Sequence, residues 1–124
     1  MAKRKENSTN SINYKIISDC SDLVYAISIF GGRWKVLILR ELEGGKMRFT
    51  ELKNAMPKIT ERILSLQLKE LEHQGLLSRT VHSSVPPKVE YELTEIGLEL
   101  VPIWEKLNCW GSRHRKLNRA AETF

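Results

Sequence analysis

Leu64, Leu68 and Leu71 recur at helical spacing between a threonine and a glycine, and that segment constrains the fold more than any other. Thr60 carries the hydroxyl that caps a helix start. Gly75 supplies the left-handed conformation that closes one. At about 100° per residue the three leucines share a side, and a helix apolar along one stripe must bury that stripe against neighbours. The flanking sequence says which neighbours. Met47–Arg48–Phe49 reads as a brief strand, and Thr50 to Ala55 as a short helix stopped by Pro57. The turn Met56–Pro57–Lys58–Ile59 then leads into the leucine helix. Beyond Gly75, Leu77 to His82 and Val89 to Leu93 alternate as two strands, joined through Ser83–Ser84–Val85–Pro86–Pro87–Lys88 as a hairpin with a long loop.

Helices bracket this centre. Asp22 to Phe30 places Leu23, Ala26, Ile27 and Phe30 on one face and ends at Gly31–Gly32. Trp34 to Leu42 turns Trp34, Leu37, Ile38 and Leu42 toward a core and ends at Gly44–Gly45. Thr94 caps a last helix over about 95–119, with Pro102 inside it demanding a kink or a restart. Residues 1–11 are polar and charged and read as an arm, which leaves 12–124 for one folded domain. The order predicts a mainly α fold with a small β-hairpin. It is the layout of a winged helix-turn-helix, whose helix pair is joined by a turn of this length.

Composition narrows the function. With 124 residues, 41% of them hydrophobic, the chain can bury a core but has little room to enclose an active site. No Ser/His/Asp or Cys/His set and no phosphate-cradling glycine motif stands out, so no enzyme and no cofactor are expected. Cys20 and Cys109 are too few for a disulfide framework, and His73, His82 and His114 are too scattered for a metal site. No secretory signal and no apolar run of membrane length is visible, so a reducing cytoplasm is the expected compartment and no membrane is expected as a partner. A net charge of +5 favours a polyanion.

Double-stranded DNA fits the layout. The second helix of such a pair enters the major groove with its N-terminal residues on base edges. Opposite the leucine stripe lie Glu61, Arg62, Ser65, Leu66 and Lys69, with Thr60 at the tip. Arg62 suits paired acceptors on guanine, and Ser65 suits base or phosphate. Arginine and lysine on an outer face are ordinarily just solvated; the adjoining hairpin makes DNA contact the better reading. Leu66, on the same face, can touch a thymine methyl, fill a contact with a neighbouring element or simply be tolerated in water, the last two together ranking above the first. His82, Ser83, Ser84 and Lys88 in the hairpin, with Arg48, Lys53 and Lys58 near the first helix of the pair, are expected on phosphates, which position a protein without reading sequence.

Five segments carry a family resemblance. They are Gly31–Gly32–Arg33–Trp34–Lys35 with Leu37–Ile38–Leu39; Arg48–Phe49–Thr50–Glu51–Leu52; Ile59–Thr60 with Leu64; Gln67 to Glu72 with Gly75–Leu76; and Val85 to Thr94 with Gly97. The run from Cys20 to about Trp110 resembles the HxlR family of bacterial winged-helix regulators, relatives of the MarR type. The resemblance implies a homodimer, built from the N-terminal and C-terminal helices, that regulates transcription, commonly as a repressor. Leu66 departs from the polar residue more usual in that family, and Ser21 from the proline that usually follows the cysteine.

Two further expectations follow. Leu100, Ile103, Trp104, Leu107 and Trp110 are too many large apolar groups for a helix covering one small domain, so a two-fold interface is expected there and on the first helix. Such a dimer implies an inverted-repeat operator. Cys20 stands where some members of the family sense oxidants or electrophiles, and a helix start favours the thiolate. An inert buried thiol is the ordinary alternative, and a structural role is the reading for Cys109. A small-molecule or redox effector thus stays open. The competing function is a winged helix that binds protein instead of DNA.

Overall fold

The computed structural model describes residues 21–122. The expected arm over 1–11 and Cys20 lie outside them. Helix α1 (Asp22–Ile29) is capped by Ser21, whose hydroxyl accepts from the Val24 amide at 3.2 Å. Gly32, with φ 89°, starts α2 (Arg33–Glu41), and a 3-10 turn follows at Leu42–Gly44. Strand β1 (Met47–Arg48) runs directly into α3 (Phe49–Ala55), and the Met56–Thr60 turn leads to α4 (Glu61–His73). The hairpin is β2 (Leu77–His82) and β3 (Lys88–Leu93). A short α5 (Glu95–Leu98) precedes α6 (Val101–Glu122).

The ends of α4 are built as the sequence predicts. The Thr60 hydroxyl accepts from the Ile63 amide at 3.1 Å. Gly75 has φ 77°, and at this end the Leu76 amide donates to the Leu71 carbonyl and the Gly75 amide to that of Glu72. That paired arrangement satisfies carbonyls the helix would otherwise leave open. Leu64, Leu68 and Leu71 are buried. They join Ile38, Leu39, Leu42, Leu52, Ile59 and Leu77 in one core, closed on the far side by Tyr91, Leu93 and Trp104.

The sheet order is β1-β3-β2, all antiparallel. The pairing of Met47 with Tyr91 and Arg48 with Glu90 ties the start of the helix pair to the inner strand of the hairpin. Thr94 fastens the other end. Its hydroxyl donates to the Gly75 carbonyl at 2.6 Å and accepts from the Gly97 amide at 3.2 Å, and its amide donates to the Leu76 carbonyl. Gly97 lies so close to that carbonyl that a Cβ built on it would collide with the oxygen.

Two expectations are corrected. On α2 the buried stripe is Ile38, Leu39 and Leu42, with the half-buried Lys35 in the same row, whereas Leu37 faces outward, because the i, i+3, i+4, i+7 row rotates one position from the one expected. On α1, Leu23 and Ile27 are exposed; Ala26 and Phe30 are only half-buried. The C-terminal segment restarts at Val101, one of the two outcomes expected from Pro102. Pro102 falls in the first turn of α6, where its missing amide leaves no bond broken.

Candidate nucleic-acid interface

Every residue expected on the reading face of α4 is exposed: Thr60, Glu61, Arg62, Ser65, Leu66 and Lys69. Burial of the leucine stripe fixes this, since a helix rigidly seated on one side presents the other. Leu66 is 50% exposed on this face. On the inner side, Lys35 of α2 makes an ion pair of 2.7 Å with Glu70 of α4. Sequence reading passed over Lys35, because a lysine among apolar residues looks like surface. Its position in the Ile38–Leu39–Leu42 row was the available signal.

The hairpin residues divide. Arg48, Thr50, Ser84 and Lys88 line one open cleft of about 610 Å³ between the start of α3 and the wing. The pairing of β1 with β3 causes this proximity, because it holds Arg48 beside the wing. Thr50, exposed at the same edge, is an addition to the expected set. Ser84 differs from expectation: its hydroxyl donates to the Pro86 carbonyl at 2.7 Å, so its proton serves the loop and only its lone pairs face outward. His82 is engaged across the strands by the Glu90 carboxylate. Ser83 and Lys88 are exposed. Lys58 lies elsewhere, in a cleft with Arg33 and Trp34, and Lys53 is half-buried on α3. Arg33 stacks 4.5 Å over the Trp34 ring.

Of the five α6-side residues expected at a dimer interface, Ile103, Leu107 and Trp110 are more than half exposed. Trp104 is corrected. It is 3% exposed and meets Phe30 of its own chain edge-on, with ring centroids 4.6 Å apart. The indole thus belongs to the protomer's core, where Phe30 is its partner. Leu100 packs partly against the same core. Trp110 stacks on His114, and Cys109 is exposed. Among the described residues no group of His, Cys, Asp and Glu could hold a metal, and no helix is long and apolar enough to cross a membrane.

Residues 29–119 match the HxlR-like helix-turn-helix model. The chain belongs to the HxlR family. YtcD, an uncharacterized HTH-type transcriptional regulator of Bacillus subtilis, is 48% identical over 99 residues, which span 79% of this chain and 77% of YtcD. Among solved structures, the redox regulator HypR in its reduced form superposes with a TM-score of 0.76 at 41% identity, over 81% of this chain and 99% of that one. The reduced form of the transcriptional regulator YodB from B. subtilis gives 0.69 at 35% identity, over 76% and 92%. The HxlR chain described here is therefore a helix-turn-helix transcriptional regulator with a MarR-like winged fold, as are its relatives, and not an enzyme.

Proposed function

We propose that the protein is a sequence-specific repressor that binds double-stranded DNA at an inverted-repeat operator as a homodimer, acting in the cytoplasm. The observation that carries this is the two-sidedness of α4: a buried leucine stripe behind, and Arg62, Ser65 and Lys69 exposed in front. Arg48 and Lys88, around one cleft beside it, supply phosphate contacts. His82 and Ser83 of the wing add to that flank, and Lys53 and Lys58 supply further phosphate contacts from outside the cleft.

Dimerisation is supported by where apolar surface remains. Leu23, Tyr25 and Ile27 of α1, Ile96 and Leu98 of α5, and Ile103, Leu107, Trp110 and Leu117 of α6 are all at least half exposed. Among the described residues these helices thus carry most of the exposed large apolar side chains, which a two-fold interface would cover.

Cys20 is the thiol assigned to redox or electrophile sensing. The likeness to HypR, a redox regulator, supports that role.

The experiment titrates the protein onto the DNA upstream of its own gene, across several salt concentrations, with sedimentation in parallel. A dimer should bind one inverted repeat and lose affinity steeply with salt through counterion release. A monomer at micromolar concentration, or binding indifferent to salt, overturns the reading. Mild oxidant should change the affinity, and Cys20→Ser should remove the response.

A further inference from the structure

Leu66 is, among the described residues, the one large apolar side chain of α3 and α4 that is left exposed. The others lie on α1, α2, α5, α6 and the hairpin, and the two-fold interface covers those of α1, α5 and α6 without reaching for Leu66. Its place on α4 is central. At about 100° per residue, Arg62, Leu66, Lys69 and His73 fall within about 60° of one another, and Leu66 points about 170° from the middle of the buried leucine stripe. All four are exposed. No carboxylate stands in that row. Glu70, at its margin one turn beyond Leu66, is held by Lys35 of α2 at 2.7 Å. An apolar group thus sits between two cations on the outer centre line of the helix.

We propose that Leu66 reads a thymine, its branched end covering the 5-methyl group on the major-groove edge of the operator. This rests on the reading of α4 as the helix that enters that groove. Leucine has no donor or acceptor, so it can reward only an apolar group, and on the major-groove edges of the four bases that group is the thymine methyl. The same blankness rejects the alternatives. A cytosine amine or a purine N7 turned toward Leu66 loses water and gains no partner. Arg62 and Lys69, before and after it in the row, attract the polyanion that brings the leucine to the base edges. Arg62 and Leu66 stand four residues apart, about 6 Å along the helix axis. At about 3.4 Å per base pair, the thymine lies within about two base pairs of the guanine assigned to Arg62.

The test uses the full chain and a duplex library randomised over about two DNA turns. Enriched duplexes are remade with deoxyuridine in place of single thymines, which removes the 5-methyl and keeps every hydrogen-bonding group. Wild type should enrich an inverted repeat with a thymine at one fixed place in each half. Deoxyuridine there should weaken binding about fourfold in one half-site and by about the square of that in both, with little change elsewhere. Leu66→Ala should bind the thymine duplex about as weakly as wild type binds the deoxyuridine one, and should no longer distinguish the two. It should also unfold at the wild-type urea concentration, since the side chain is exposed. A repeat in which no deoxyuridine changes affinity overturns this inference and leaves the operator reading standing. A penalty that persists undiminished in Leu66→Ala overturns it too, by giving the methyl to another side chain. So does a Leu66→Ala chain of clearly lower stability, which would assign the leucine to packing within the protein. If no repeat is enriched, the operator reading fails and takes this one with it.

Discussion

Lys35 and Glu70 form an unequal pair: the lysine side chain is 15% exposed and the glutamate 57%. Removing either partner therefore has a different consequence. Glu70→Ala leaves a mostly covered ammonium without its counter-charge, and should cost about 1–2 kcal/mol. Lys35→Met leaves a carboxylate that water already reaches, with an apolar chain of similar length in place of the lysine stem. It should stay within about 0.5 kcal/mol of wild type, and the double variant should recover most of the Glu70→Ala loss. Urea unfolding of the three variants checks this; a larger loss for Lys35→Met would show that the attraction, not the burial, dominates.

Gly97→Ala should be among the most damaging single-methyl additions to the chain. The new Cβ would collide with the Leu76 carbonyl, which also accepts from the Thr94 amide. Backbone must move on both sides, so the loss should exceed about 2 kcal/mol. Thermal unfolding of Gly97→Ala beside Gly44→Ala, where a Cβ meets nothing, gives the comparison.

The Thr94 hydroxyl is used twice, as donor to Gly75 and as acceptor from Gly97. Thr94→Val keeps the shape and loses both bonds, which should cost about 1–2 kcal/mol. Thr94→Ser keeps both and should fall within about 0.5 kcal/mol of wild type. If serine and valine unfold at the same denaturant concentration, the hydroxyl contributes nothing.

How far these features could be read in the sequence depended on how local their causes are. The cap at Thr60, the close at Gly75 and the leucine stripe are set within a few residues, and all three are found. Trp104 was misread because α6 carries apolar groups around more than one side. Phe30, distant in sequence, decides which side faces the chain's own core. Lys35 escaped notice because its partner lies on another helix. The gathering of Arg48 with Lys88 depends on a two-residue strand, too short for its pattern to specify a partner.

Reading and positioning on DNA can be separated. Arg62→Ala should cost about 1–3 kcal/mol on the operator and narrow the gap to scrambled duplex. Lys88→Ala should weaken both duplexes by a similar factor and lower the salt slope by roughly one. Both side chains are exposed, so both variants should fold. Paired titrations at several salt concentrations are the measurement. An Arg62→Ala protein weakened equally on both duplexes, with Lys88→Ala erasing the preference, would reverse the roles.

The pairing of β1 with β3 has a consequence for how the molecule opens. β1 continues without a break into α3, so the paired Met47 and Tyr91 cannot separate unless the front of the helix pair lifts off the hairpin. Hydrogen exchange at those positions should proceed through one shared opening and report one free energy, close to that of the Leu52 and Leu64 amides. The Ser83 to Pro87 tip lies outside the ladder and should exchange by its own faster fluctuation. The wing thus has a base that opens with the core and a tip that opens alone.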